Sequence, residues 1–373
     1  MAPGFSFGFA GDDIEDDGQP TSQVNSVAPP TPSAATSASA FPVQGKPLLP
    51  PTHHDIDHML SRLPSKIAYS LLDVELGEGK TIQIPRRELW DVRVQLMAED
   101  DGSNISETEP GLGEHDVKTG IYEGGFKSWE SSVDLVKVLA SENAPTILYR
   151  DPCVLMELGC GTALPSLALF QWAMNERKSG EKQPLTLALA DYNPSVLYLV
   201  TLPNFLLAWA LSQRESTPVL ADAFSLEDEV ELLPGVVEAF KEFLTSNQIT
   251  LSFLSGGWSP EFIDLLYSSG IPSNPTGSVQ TLVIGAETIY SPFSLESFAA
   301  TLLLILERER KERPSGHASS IVGAKKMYFG VGGSLDDFVD RMRGLGASVE
   351  PLREEAEGVR RGVVRCFLSR GSV

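Results

Sequence analysis

The sequence predicts an α/β fold built on an open, mostly parallel, doubly wound sheet, and three observations predict it. After Gly120, apolar strand-like runs alternate with helical segments along the rest of the chain. One of these runs, Cys153–Glu157, is continuously apolar up to its last residue, the pattern of a strand buried on both faces. It leads through Gly159-Cys-Gly161 directly into a helical stretch, the strand–turn–helix unit at which such sheets bind ligands.

In chain order, residues 1–60 read as a disordered tail. Segment 20–51 is dominated by Pro, Ser, Thr and Ala and has no apolar period to bury. Before it lies Phe5-Ser-Phe7-Gly-Phe9 followed by the acidic run 12–17, readable as a docking motif or as a solvated tail. Residues 61–119 form a small N-terminal extension with β content, from the alternations Tyr69–Val74 and Thr81–Ile84. Within it, 97–116 is acidic and Gly-rich and reads as an exposed loop. The main domain spans 120–373. Its strands are expected at Cys153–Glu157, Leu185–Ala190, Ile249–Leu254, Thr281–Ile284, Met327–Val331 and Val363–Leu368. Its helices are expected at Ala163–Met174, Pro194–Leu211, Pro292–Arg310 and Leu335–Leu345, with Pro194 suited to a first helical turn. The acidic segment 213–248 reads as an insertion.

Composition narrows the function classes. At 373 residues, with 42% apolar and 21% charged residues, the chain has the length and balance of a globular protein with a large core. No apolar stretch approaches the roughly 20 residues of a membrane span, and no secretory leader is evident. Residues 1–120 hold 19 acidic and 8 basic side chains, a net of −11, which leaves −10 of the total −21 for the remainder. Both parts repel a phosphate backbone, so direct nucleic-acid binding is not expected. Acidity steers basic partners toward a protein, and it also maintains solubility. Cys153, Cys160 and Cys366 lack metal-ligand spacing and read as reduced thiols, which fits the cytoplasm or nucleus. His53, His54 and His58 stand with Asp55 and Asp57 beside the Pro-rich tail and read as surface residues, so no metal is expected. With five histidines in the chain and none in a strand–loop motif, a Ser/His/Asp hydrolase is poorly supported.

The chemistry concentrates at the ends of the first two main-domain strands. Gly159 and Gly161 permit a sharp turn and a close ligand approach. Glu157, two residues before the first glycine, stands where a carboxylate can meet a cationic amino group through the loop. The following helix start lacks the second glycine pair that a pyrophosphate needs, which weakens a dehydrogenase reading. Asp191 ends the second strand, where a carboxylate can take both hydroxyls of a ribose.

Glu157-Leu-Gly159-Cys-Gly161 followed by Asp191-Tyr192-Asn193 resembles the seven-strand class of S-adenosylmethionine-dependent methyltransferases. Within it, Glu287-Thr-Ile-Tyr290 and the pair Trp129-Glu130 resemble the subgroup with an acidic-x-x-Tyr motif after strand four. More narrowly, Gly120-Ile-Tyr-Glu-Gly-Gly-Phe-Lys-Ser-Trp-Glu130, Gly257-Trp258 and Ala286–Tyr290 resemble the protein-histidine N-methyltransferases, and the Phe-rich start is similar to that of fungal members. The resemblance implies a seven-strand Rossmann-like methyltransferase fold, S-adenosylmethionine as cofactor, and a histidine of a large-subunit ribosomal protein as acceptor, handled by a monomer. It also implies the site. Trp129 offers an aromatic wall, and Glu130 bonds the methionine amino group or caps the next helix, with Ser131 following. Gly256 or Gly257 contributes a backbone contact to adenine beside Trp258, because Gly257 replaces the acid of Gly-Asp-Trp relatives. Ala286 lines the cofactor site by its backbone, while Glu287 and Tyr290 grip the acceptor. Ala163 stands where many relatives have a third glycine, which is tolerable if its backbone is helical. The nearest rival activity is a protein-lysine methyltransferase of the same subgroup, which needs a pocket that deprotonates lysine. A non-catalytic binding module is the alternative of another class.

Overall fold

The computed structural model describes residues 14–15, 41–43, 45–99, 111–112, 116–118, 123–142, 144, 151–176, 182–271 and 278–369. The Phe5–Phe9 piece, residues 120–122 of the Gly120–Glu130 motif and most of the acidic loop at 97–116 lie outside the described residues. Five parallel strands form the centre of the main sheet: β6 (Cys153–Leu158), β7 (Leu185–Asp191), β9 (Ile249–Ser255), β10 (Gln280–Ala286) and β11 (His317–Lys325). On the β11 side the antiparallel β13 (Arg361–Phe367) and β12 (Ser348–Glu355) complete seven strands. The spatial order is β12-β13-β11-β10-β6-β7-β9, extended by an eighth strand, β2 (Thr52–His54), antiparallel to β9. The chain steps outward from β6 to β7 and β9, then returns to lay β10 on the other flank of β6. That reversal is the switch point, and it opens a crevice beyond the strands' C-terminal ends.

Every residue of β6 and of β7 is buried, as their apolar runs predict. Four helices reach the crevice with their N-termini or pack the sheet faces: α3 (Glu130–Ser141), α4 (Leu164–Glu176), α5 (Pro194–Gln213) and α8 (Pro292–Glu312). Pro194 and Pro292 open their helices, each after a capping side chain, Asn193 and Ser291.

Four expectations need correction. Residues 45–60 are not tail: they carry β2 and the helix α1 (Ile56–Ser61), capped by Asp55, and β2 completes an otherwise open sheet edge. The expected strand Met327–Val331 is a turn with Met327 and Phe329 exposed, and the strand lies upstream at His317–Lys325. Leu112 and Asp116, placed by sequence in an exposed loop, are fully buried. Finally, α5 is 20 residues long and apolar enough to cross a membrane by length and composition, yet Leu197, Phe205 and Trp209 place it in the protein interior.

The N-terminal extension is welded to the main domain. Its hairpin of β3 (Lys66–Gly77) and β4 (Lys80–Arg87) turns through Glu78-Gly79, both at positive φ. It gains a third strand, β8 (Glu229–Glu231), from the expected insertion. Arg87 ends β4 and donates to Asp91 at 2.7 Å and to the Leu199 carbonyl of α5 at 2.8 Å. Asn204 of α5 accepts from Arg87 N at 2.7 Å and donates to the Thr162 carbonyl at 3.0 Å, tying the extension to the glycine turn.

Candidate functional site

The crevice at the switch point is a cleft of about 980 Å³, open mouth included. Of the residues singled out in the sequence, Trp129, Gly159, Gly161, Asp191, Tyr192, Gly257, Trp258, Ala286, Glu287 and Tyr290 line it. They come from five separate stretches of chain, which the fold brings to one edge of the sheet.

The floor is the turn after β6. Gly159 and Gly161 have φ of +70° and +48°, and a Cβ on Gly159 would come within 2.8 Å of Thr288 Cγ2. Asp191 closes this turn: its Oδ2 accepts from Gly161 N at 2.8 Å and its Oδ1 from Asn193 N at 3.0 Å. Burial pushes the Asp191 carboxyl up to about 6, against the pull of these backbone donors. Ala163 is left-handed at φ +56°, not helical as expected, and it immediately precedes α4.

Five sequence candidates stand outside the lining. Glu157 turns away and accepts from Ser166 N at 3.0 Å, satisfying a free donor of the first turn of α4. Burial there lifts its carboxyl to about 8. Asn193 caps α5 by accepting from Ser195 N at 2.9 Å. Glu130 is the first residue of α3, and Ser131 donates from its hydroxyl to Glu287. Gly256 donates to the Asp191 carbonyl at 3.1 Å and Gly257 to the Leu49 carbonyl at 2.8 Å. Neither N–H of this pair therefore faces the cleft as a donor to adenine. The reason is the N-terminal segment: a Cβ on Gly257 would lie 2.7 Å from Leu48, and one on Gly256 2.4 Å from the Pro50 carbonyl.

Glu287 and Tyr290 follow β10. Glu287 sits at φ +55°, and its carboxylate accepts from Ser131 and from the Tyr328 hydroxyl. Burial raises it, while Lys325 opposes the rise. The Lys325 ammonium lies 5.1 Å from the centre of the Trp129 ring. The Tyr290 hydroxyl donates to Glu123, and its ring stands 6.1 Å from that of Phe41.

Sequence reasoning missed Asp116, Glu123, Thr288 and Leu48, all of which line the cleft. Asp116 is fully buried, accepts from Phe126 N at 2.9 Å and from Trp129 Nε1 at 3.0 Å, and is pushed up to about 7 by burial. It is the anchor that sets the Trp129 wall. Glu123 was within reach, since it lies inside the quoted Gly120–Glu130 motif. Asp116 and Leu48 gave no local signal.

No protein-family profile matches the chain. "Histidine protein methyltransferase 1" of Saccharomyces cerevisiae is 35% identical over 357 residues, covering 90% of this chain and 89% of that one. The chain belongs to the histidine protein methyltransferase 1 family. The protein of that name in Schizosaccharomyces pombe is 33% identical over 313 residues, 83% of each chain. A Bos taurus homologue is 30% identical over 60% of this chain and 49% of its own. Among solved structures, "delta-N METTL16 MTase domain" reaches a TM-score of 0.37 at 9% identity, over 76% of this chain and 98% of that one, a likeness too loose to bear on function.

The chain is thus a methyltransferase, and its cofactor is S-adenosylmethionine. The cleft fits that molecule by its donor set. Asp116, Asp191 and Glu287 give an acidic lining for a ligand with sulfonium and ammonium charges. Leu48 and Trp258 supply apolar walls for a base, and the buried Thr288 Oγ1 has no partner among the described residues.

Proposed function

We propose that the chain is an S-adenosylmethionine-dependent protein-histidine N-methyltransferase whose acceptor lies in a large-subunit ribosomal protein. The observation that carries the histidine reading is the yeast relatives' name together with near-full-length similarity to them. The ribosomal acceptor is supported by the Gly120–Glu130 and Ala286–Tyr290 resemblance. The net charge of −21 also suits a Lys/Arg-rich partner.

When bound, the cofactor supplies an electrophilic methyl group on a sulfonium. Asp191 and the turn at Gly159–Gly161 would hold it, with Trp258 and Leu48 flanking its base. The acceptor needs little activation, because a neutral imidazole with an ordinary pKa near 6.5 is already a nucleophile at pH 7. The protein's work is alignment and exclusion of water. Asp116 fixes Trp129 on one wall, and Ser131 and Tyr328 fix Glu287 on another.

Two measurements test the reading. S-adenosylhomocysteine should bind with one-to-one stoichiometry in calorimetry, and Gly159→Arg or Asp191→Asn should abolish binding while unfolding stays cooperative. Unchanged affinity in both variants would show the cofactor site to be elsewhere. With labelled cofactor and a lysate lacking this protein, label should appear on a histidine of one ribosomal protein. Label on lysine would establish the lysine reading instead.

A further inference from the structure

Four carboxyl groups line the cleft, and three of them accept from the protein's own donors on both oxygens. Asp116 receives Phe126 N, Lys127 N and Trp129 Nε1. Asp191 receives Gly161 N and Asn193 N. Glu287, the sequence candidate for the acceptor, receives the hydroxyls of Ser131 and Tyr328, one on each oxygen. Glu123 differs. Its Oε1 accepts from Tyr290, and among the described residues its Oε2 accepts from none.

The position of Glu123 is set from two sides. Asn193, at the end of β7, donates to the carbonyls of Glu123 and Gly124 at 3.3 Å each, and Tyr290, past β10, holds the carboxylate itself. A half-buried carboxylate with one free oxygen is thereby fixed between the strand ends that flank the switch point.

We infer that Glu123 is the acceptor-facing group: its Oε2 takes the hydrogen bond from the ring N–H opposite the nitrogen that is methylated, and Tyr290 orients it. This rests on the histidine reading above. The lone pair of one ring nitrogen forms the new N–C bond while the C–S electron pair leaves on sulfur. The ring is then cationic, and the proton on its other nitrogen passes to Glu123 Oε2. The products are a neutral methylimidazole, a neutral thioether and a protonated carboxyl that reloses its proton to water through the open mouth. The hydrogen bond also selects one tautomer, so it determines which ring nitrogen is presented.

The surroundings suit a proton acceptor. Tyr290, Asp191, Tyr192 and Asp116 face Glu123, and Lys127 lines the same cleft beside Asp116. Burial and the two neighbouring carboxyls lift Glu123 to about 8, with the Tyr290 hydrogen bond opposing. In its ionised form, which is populated as pH rises toward and past 8, such a carboxyl takes a proton from an imidazolium more readily than one at about 4.3 does, and its ionisation sets the acid limb of the rate.

The test is Glu123→Gln, which preserves volume and an acceptor for Tyr290. Expected are an S-adenosylhomocysteine affinity within about twofold of the parent and a kcat lower by roughly 100-fold. The acid limb of the rate profile near pH 8 should also be lost. In calorimetry, a peptide bearing the labelled histidine should bind the S-adenosylhomocysteine complex of the variant at least about tenfold more weakly. Glu123→Asp should recover part of the rate. If the variant fails to fold, Tyr290→Phe serves in its place, with the same pH limb expected to move. A kcat within twofold of the parent overturns the inference, as does cofactor affinity falling in step with rate, which would make Glu123 a cofactor ligand. In either case histidine labelling by the parent would persist, so the proposed function stands or falls separately.

Discussion

Ala163 holds a left-handed backbone that L-residues other than glycine adopt at a cost of roughly 1–2 kcal/mol. Neighbouring bonds over-determine it: its N–H donates to the Cys160 carbonyl and its carbonyl accepts from Leu167 N at 2.8 Å. Ala163→Gly should therefore leave stability unchanged or raise it by up to about 1 kcal/mol, after the extra chain entropy of glycine is offset. Thermal melts check this, and a clear loss would mean the methyl group packs more than it strains. Glu157 yields the opposite kind of prediction. A carboxyl lifted to about 8 is mostly protonated at neutral pH, and glutamine mimics that form. Glu157→Gln should be neutral near pH 5 and increasingly stabilising toward pH 8, read as a melting-temperature difference that grows with pH.

At the scale of elements, the segment before β2 decides the character of one cleft wall. Leu49 N donates to the Tyr192 hydroxyl at 3.1 Å, and Leu48 lies over Gly257. The glycine that departs from the Gly-Asp-Trp pattern is thereby explained, because an acid there would collide with Leu48. Gly257→Asp should destabilise by about 1–3 kcal/mol, and Leu48→Ala should relieve part of that loss in a double-mutant cycle. Additive effects would refute the packing account. The misplaced fifth strand has a related cause. Met327-Tyr328-Phe329 looks more strand-like than His317-Ala-Ser-Ser, yet α3 and α8 cover β11 and bury its small residues. Gly323 is tight for the same reason, since a Cβ there would stand 3.1 Å from Leu135 of α3. Propensity read the exposed turn as a strand because covering helices, not intrinsic preference, choose which segment is buried.

For the whole molecule, buried carboxyls in and behind the cleft couple stability to pH. Asp116, Glu123, Glu157 and Asp191 reach about 7, 8, 8 and 6 in the native state, all above the unfolded carboxyl range. The native protein then binds more protons than the unfolded chain between about pH 4 and 8, so stability is greatest at the acid end of that window and falls as pH rises. Glu287 is raised as well, while His54, lowered by burial, works in the opposite direction. The protein without cofactor should melt higher at pH 6 than at pH 8 at constant ionic strength. A flat or rising profile would show these carboxyls to be solvated.

The sequence by itself determined the alternating strands and helices of the main domain, the glycine turn after β6, Asp191 at the end of β7, and the motifs that placed the chain among methyltransferases. Those features are written in local periodicity and turn chemistry, which a short window of residues contains. Only the tertiary structure decided that 52–54 is an edge strand, that Glu157 caps a helix, that Leu48 lies over Gly257, and that Glu123 meets Tyr290. Leu49 and Tyr192 are 143 residues apart and Glu123 and Tyr290 are 167 apart, and contacts over such distances arise from packing that no local pattern records.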